Sequence, residues 1–497
     1  MSAYHDFLRE KFRFDQALGF EPGPISPILK PHQRDIVQWA VRKGRAAIFA
    51  AFGLGKTLMQ LEVCRLILAH HGSGRALIVA PLGVRQEFRH DAELLGLQVH
   101  FIRTTAEASA DGIYLTNYES VRDGKIDPSA FLAVSLDEAA VLRGFGGTKT
   151  FREFMRILAG DDNTGKRTEG VRYRFVATAT PSPNQYIELL AYAAFLGIMD
   201  VGQAKTRFFK RNSEKADQLT IHPHKEAEFW FWINSWAIFL QRPSDLGHSD
   251  DGYVLPPIEV HWHEIAVDHR GAGAEKDGQM RLLRNAAIGV QDAAREKRDS
   301  LDARVEKMVD IVGASPGEHF ILWHDLEDER RAIKAAIPES SEVYGSLDLD
   351  VREARIVDFS EGRTRILATK PELSGSGCNF QRHCHRAIFL GIGFKFSDFV
   401  QAIHRIQRFL QTEPVRIDLI YTESEREIRR ILEEKWARHI ELVDTMSAII
   451  REHGLAGGAL EQQLARTIGC QREEIAGRNF RAIHNDCVDE CATLASD

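Results

Sequence analysis

The sequence predicts an α/β fold built as two lobes of mainly parallel β-sheet, with a mainly helical insertion between them and a helical C-terminal tail. Three observations carry that expectation. Short, continuously apolar runs recur between helix-period segments in two separate stretches of chain, the pattern of strands buried on both faces. A glycine loop stands between one such run and a helix start. Between the two stretches the pattern changes to aromatic and charged helical sequence.

In order, residues 1–24 end in Gly-Pro turn chemistry and read as a lead-in helix and linker. The first lobe, 25–195, takes its strands from Ala46–Phe49, Ala76–Ala80, Gly112–Thr116, Leu132–Leu136 and Arg174–Thr178. The insertion, 196–302, carries Phe229-Trp230-Phe231-Trp232 and then Trp236, a density that points to a helical core rather than to base stacking. The second lobe, 303–425, draws on Phe320–Trp323, Arg365–Ala368, Ala387–Leu390 and Ile417–Ile420. The tail, 426–497, follows as a charged amphipathic helix from Glu423 to Glu452 and a less defined end after the Gly454–Gly458 loop.

At 497 residues the chain has room for about three domains with real cores. Its 44% apolar and 27% charged content is that of a globular protein, and the longest apolar run, around Leu189 to Met199, is too short to span a bilayer. No membrane partner is expected. Met1-Ser2-Ala3-Tyr4-His5-Asp6 lacks the basic and apolar stretches of an export signal, and six scattered cysteines make no disulfide framework, so a reducing, cytoplasmic setting is expected. A net charge of −7 argues against a wholesale basic nucleic-acid binder and leaves room for a local positive groove.

The chemistry centres on Ala50-Ala51-Phe52-Gly53-Leu54-Gly55-Lys56-Thr57, between the run Ala46–Phe49 and the helix start Leu58–Glu62. Gly53 and Gly55 let the backbone curl so that N–H groups and a helix N-terminus face one anion; Lys56 can reach outer phosphates and the Thr57 hydroxyl can hold Mg²⁺. The implied ligand is a nucleoside triphosphate. About 80 residues on, Asp137-Glu138 follows the strand Leu132–Leu136 at the strand end where open α/β sheets bind ligands. Asp137 can hold Mg²⁺ and Glu138 can polarise an attacking water.

Ala50–Thr57 matches A-x-x-G-x-G-K-T, and with the acidic pair it resembles the superfamily 2 helicase-type ATPases, among them the Snf2-like double-stranded DNA translocases. The resemblance implies RecA-like lobes, ATP and Mg²⁺ as cofactors, and duplex DNA as the favoured partner. Gln33 sits where the family places an adenine-reading glutamine, whose amide suits adenine's donor and acceptor edge. Asp137-Glu138-Ala139-Ala140 resembles the DExx box. Pro81, with Leu82 and Gly83, falls at a backbone-contacting loop, and Thr178-Ala179-Thr180-Pro181 at the motif whose hydroxyls link the ATP site to the nucleic-acid site, which makes Thr178 and Thr180 nucleic-acid candidates.

In the second lobe, Ser374-Gly375-Ser376-Gly377-Cys378-Asn379-Phe380 resembles the family's small-residue loop, with Ser374 and Gly375 expected at the nucleic-acid backbone and Gly377 at the nucleotide. Gln401-Ala402-Ile403-His404-Arg405-Ile406-Gln407-Arg408-Phe409-Leu410-Gln411 resembles the Snf2-type motif VI. Its arginines, three apart, share one face. Arg408 is the expected arginine finger and Arg405 a γ-phosphate contact; Leu410 stands where that motif usually has Gly. Phe239–Pro243 and Leu255–Val260 resemble the segment joining the two lobes in Snf2-like proteins. The likeness covers about residues 25–425.

Asn479–Asp489 resembles the opening strand of DNA amino-methyltransferases, and no Asp-Pro-Pro-Tyr-like loop follows before Asp497. Either the chain is the motor half of a longer or split modification protein, with a methyltransferase as partner, or the likeness is accidental. His484, Cys487 and Cys491 have non-standard spacing for zinc. Three functions follow for comparison: an ATPase translocating on duplex DNA, a strand-separating RNA or DNA helicase, and an ATP-dependent nucleic-acid-binding module without turnover.

Overall fold

The computed structural model describes residues 18–143, 149–160, 170–182, 185–211, 219–266, 297–374, 380–393, 396–453 and 455. Among the described residues, nine strands precede the segment that joins the lobes: β1 (Arg45–Ala50), β2 (Arg75–Val79), β3 (Val99–Phe101), β4 (Gly112–Thr116), β5 (Ala133–Asp137), β6 (Tyr173–Ala177), β7 (Phe209–Arg211), β8 (Leu219–Ile221) and β9 (Ala237–Leu240). Seven of them form a parallel sheet in the order β3-β4-β2-β5-β6-β1-β9, while β7 and β8 pair as a separate antiparallel hairpin. The central strands are buried along nearly their whole length, as their mainly apolar content requires of a sheet covered by helices on both faces.

Six more strands among the described residues, β10 (Ile258–Ile265), β11 (Phe320–Trp323), β12 (Ser341–Val343), β13 (Ile366–Thr369), β14 (Arg386–Phe389) and β15 (Val415–Thr422), form a second all-parallel sheet in the order β10-β15-β14-β11-β13-β12. Two parallel sheets clothed by helices fit two RecA-like lobes. In a parallel sheet every strand points the same way, so the loops after β1, β2, β5 and β6 gather along one edge of the first lobe. That edge carries the glycine loop, Pro81, Asp137-Glu138 and Thr178–Pro181.

All nine strands read from sequence are present. The insertion holds the helices Val201–Phe208 and Glu226–Trp236, and Phe229, Trp230, Trp232 and Trp236 are buried in the first lobe's core, as their density suggested. Its later part also contributes sheet. Ala237–Leu240 runs straight out of the aromatic helix and pairs with the open side of β1, with Ala47 opposite Ala237. Ile258–Ile265 lies along β15 as an edge strand with Glu259 and Val260 exposed. Both sheets therefore extend beyond the limits 25–195 and 303–425.

The tail helix Arg426–His453 packs on both lobes. Ile428 and Leu432 join the second lobe's core, whereas Leu442, Met446 and Ile450 join that of the first. At 28 residues it spans about 42 Å, enough to reach from one lobe to the other. No described helix is long and apolar enough to cross a membrane. Met446 has no exposed surface, so Met446→Ala is expected to lower stability by about 2–5 kcal/mol in denaturant unfolding, while Ile440→Ala, at a position 46% exposed, changes it by about 0.5 kcal/mol or less.

Candidate active site

β1 ends at Ala50 and the chain turns through Gly53 (φ 83°) and Gly55 (φ 80°) into the helix Lys56–His71. Both glycines are in the left-handed region. A Cβ on Gly55 would lie 2.3 Å from Gln33 Nε2, and one on Gly53 would lie 3.0 Å from the backbone nitrogen of Phe409, a second-lobe residue. The loop is thus closed in from both sides. Lys56 Nζ donates to the carbonyls of Ala50 (2.9 Å) and Ala51 (3.3 Å), and Thr57 is buried at the start of the helix. Burial holds the Lys56 ammonium below its ordinary range, while Glu138 and Asp137 pull it back up.

Asp137 closes β5. Its Oδ1 accepts a hydrogen bond from Gln60 Nε2 (2.8 Å), and Gln60 Oε1 accepts from the Ser135 hydroxyl (2.7 Å). Burial first, and the neighbouring Glu138 second, push the Asp137 carboxyl up to about 7. Glu138 has φ 49° and receives the Thr178 hydroxyl on Oε2 (3.1 Å); Thr178 Oγ1 in turn accepts the Thr180 N–H (3.2 Å). The Tyr118 hydroxyl donates to the Asp137 carbonyl.

The second lobe meets this edge through residues 401–411. Arg408 Nη2 lies 3.9 Å from Glu87 Oε1, on the helix Arg85–Leu94 that follows Pro81, and the Arg408 charge adds to the depression of the Lys56 ammonium. One turn beyond Glu87, burial and the Glu87 charge push Asp91 up to about 7. Arg85 Nη2 (3.1 Å) and Gln86 Nε2 (2.7 Å) both donate to Glu353 of the second lobe. Phe52, from the glycine loop, stacks on His404 with ring centroids 4.4 Å apart and planes within 15°. Phe409 packs on Tyr253 of the joining segment (4.7 Å), and the Lys30 ammonium sits 4.0 Å from the Phe409 ring and 4.6 Å from the Tyr253 ring.

The structure therefore brings Gly53, Gly55, Lys56, Thr57, Asp137, Glu138 and Arg408 to one cleft. Gln33 is there too, its amide shared between the start of its own helix, where Oε1 accepts the Lys30 N–H (2.9 Å), and the glycine loop, where Nε2 donates to the Leu54 carbonyl (3.0 Å). Arg405 is buried, and its carbonyl accepts the Phe380 N–H within the second lobe. Thr178 and Thr180, the expected nucleic-acid contacts, sit at the end of β6. Neither has any exposed surface, because both lie just past β6 beneath the edge, and the Thr178 hydroxyl serves Glu138. Pro81 is partly exposed at the edge. Ser374 ends the short helix Pro371–Ser374, while Gly375, Gly377 and the tail stretch Asn479–Asp489 lie outside the described residues. Among the described residues no cluster of His, Cys, Asp and Glu is arranged to hold a metal by itself.

Sequence reasoning missed Gln60, Glu87, the Phe52–His404 stack and the Lys30–Tyr253–Phe409 group. Gln60 did leave a trace, since a glutamine amid Leu58, Met59 and Leu61 is a polar residue on a buried helix face. The others are contacts across the cleft, which no local pattern records.

No family model matches the sequence. A phage protein, described as putative protein p41 of Acyrthosiphon pisum secondary endosymbiont phage 1, is 23% identical over 441 residues, covering 76% of this chain and 88% of that protein. Among solved structures, the Sulfolobus solfataricus SWI2/SNF2 ATPase core in complex with dsDNA aligns at a TM-score of 0.40 and 16% identity, over 90% of this chain and 98% of that one. Neither is described as a methyltransferase. At these levels of likeness the chemistry has to come from the residues themselves.

His32 lies beside Gln33, edge-on to Tyr253 at 5.3 Å and 1% exposed, and burial depresses its imidazole to about 4. It stays neutral in the fold at pH values where the unfolded chain binds a proton. It therefore contributes stability that is complete above about pH 6.5 and lost as pH falls towards 4. Asp91 and Asp137 work in the opposite sense, so the signature is a difference. Unfolding at pH 7 and pH 4.5 should show a smaller acid loss for His32→Phe than for the parent, by on the order of 1–3 kcal/mol.

Proposed function

We propose that the chain is an ATP-dependent motor that hydrolyses ATP between its two lobes and uses the cycle to translocate on DNA, with duplex DNA as the favoured track. One observation carries this reading: Arg408 of the second lobe shares the electrostatic surroundings of Lys56 with Asp137 and Glu138 of the first. A cation from one body facing a glycine loop on another is an arrangement that senses, and stabilises, charge on a triphosphate.

In this reading Lys56 exchanges the Ala50 and Ala51 carbonyls for phosphate oxygens, and the loop N–H groups and helix N-terminus take up the remaining charge. Thr57 and Asp137 would hold Mg²⁺. They fit it because both offer oxygen, the ligand Mg²⁺ prefers, and because Gln60, which holds Asp137, lies three residues after Thr57 on the same helix face. When bound, Mg²⁺ neutralises charge on the phosphate oxygens. Glu138 orients the attacking water and accepts its proton, its own carboxylate fixed by Thr178. Arg408 stabilises the charge that develops on the transferred phosphoryl group, and Gln33 couples the loop to the base side of the site.

Hydrolysis removes the anion that draws Arg408 towards Lys56, and the lobes shift along the backbone as the cleft relaxes. Duplex DNA as the track follows from the likeness of Gln401–Gln411 to the Snf2-type motif. Backbone tracking carries no sequence information, so binding should be sequence-independent and weakened by salt.

The test is phosphate release measured without nucleic acid and with duplex DNA, single-stranded DNA or RNA. Stimulation by duplex DNA, lost in Lys56→Ala and Glu138→Gln, is the expected outcome. Arg408→Ala should lower turnover by roughly 10³-fold or more. Stimulation by RNA alone would make the protein an RNA helicase, and nucleotide binding without turnover would make it a binding module.

A further inference from the structure

Gln60 is 1% exposed, in a helix whose neighbouring positions Met59 and Leu61 are core residues. A buried amide needs partners for both its ends. Here each end has one of the right kind: Nε2 donates to Asp137 Oδ1 at 2.8 Å, and Oε1 accepts from the Ser135 hydroxyl at 2.7 Å. Ser135 is 1% exposed and two residues before Asp137 on β5, so the two side chains share one face of the strand. The directions are mutually enforcing. Turning the amide over would aim its oxygen at a carboxylate and its N–H₂ at a hydroxyl already placed to donate.

We infer that Gln60 is a positioning residue for the Mg²⁺–nucleotide site: oriented by Ser135, it fixes the Asp137 carboxylate so that one oxygen is held by the amide and the other is left to face the metal. This rests on the nucleotide reading above and adds to it the residues that set the geometry of the metal-facing carboxylate. Thr57 and Gln60 stand three residues apart on one helix, so a single rigid element carries one direct oxygen donor and the group that aims the second. Partners that orient a metal-bound carboxylate in this way are commonly worth 10–100-fold in metal affinity.

The test is binding of a fluorescent ADP analogue to the intact chain, with Mg²⁺ and with EDTA, together with the Mg²⁺ dependence of phosphate release, in the parent, Gln60→Leu and Ser135→Ala. Gln60→Leu should leave binding in EDTA within about twofold of the parent, weaken binding in Mg²⁺, and raise the half-saturating Mg²⁺ concentration by roughly 10-fold or more. Ser135→Ala keeps the amide and frees it to turn, so it should move the same quantities in the same direction by less. A purely structural role would change thermal stability and affect binding equally in Mg²⁺ and EDTA. If Ser135→Ala folds like the parent and both variants keep the parent's Mg²⁺ dependence, or if Gln60→Leu does not fold and Ser135→Ala keeps that dependence, the inference is overturned. If the parent itself binds no nucleotide, the reading of the site falls, and this inference with it.

Discussion

A positive charge enclosed in a cleft has to be answered by oxygen, and around Lys56 that requirement organises both lobes. The ammonium rests on two carbonyls of its own loop, with Asp137 and Glu138 close enough to offset what burial takes away. Burial, and after it the neighbouring Glu138, drive Asp137 up to about 7, and its carboxyl leans on Gln60. Parallel pairing of β1, β6 and β5 is what assembles these groups, because it brings the ends of three strands to one edge.

Much of this was legible in the sequence because it is written locally. Continuous apolar runs such as Ala46–Phe49 declare buried strands, and the glycine loop stands where the sequence puts it, between a strand and a helix. The strands that escaped notice lack such marks. Ala237–Leu240 follows the helix Glu226–Trp236 with no turn residue between them, so hydrogen bonding to β1, not local sequence, decides that it is extended. Ile258–Ile265 alternates apolar with His and Glu because it lies at an edge. Thr178 and Thr180 were assigned by motif position, and only packing shows that they lie beneath the edge and not upon it.

Leu410 holds a backbone conformation to which leucine is poorly suited. It stands where the resembled motif has Gly, and its φ of 74° is the left-handed conformation that Gly would adopt freely. For leucine this conformation costs roughly 1–2 kcal/mol. Gln411 offsets it: its amide donates to the carbonyls of Cys384 and Ile406, and its side-chain oxygen accepts the N–H groups of Thr412 and Glu413. The turn that carries Arg408 and Phe409 to the glycine loop is therefore held from its far side.

The helix Arg426–His453 gives the two lobes a second attachment, since the segment between β9 and β10 is the first. Bodies joined at a single point keep three rotations relative to each other. A stiff strut fixed to both removes most of them and leaves a swing about the line through the two attachments. On the motor reading proposed above, work done at the cleft would be channelled into one coordinate instead of dissipating as tumbling, and the length of that strut would set how far a stroke can travel.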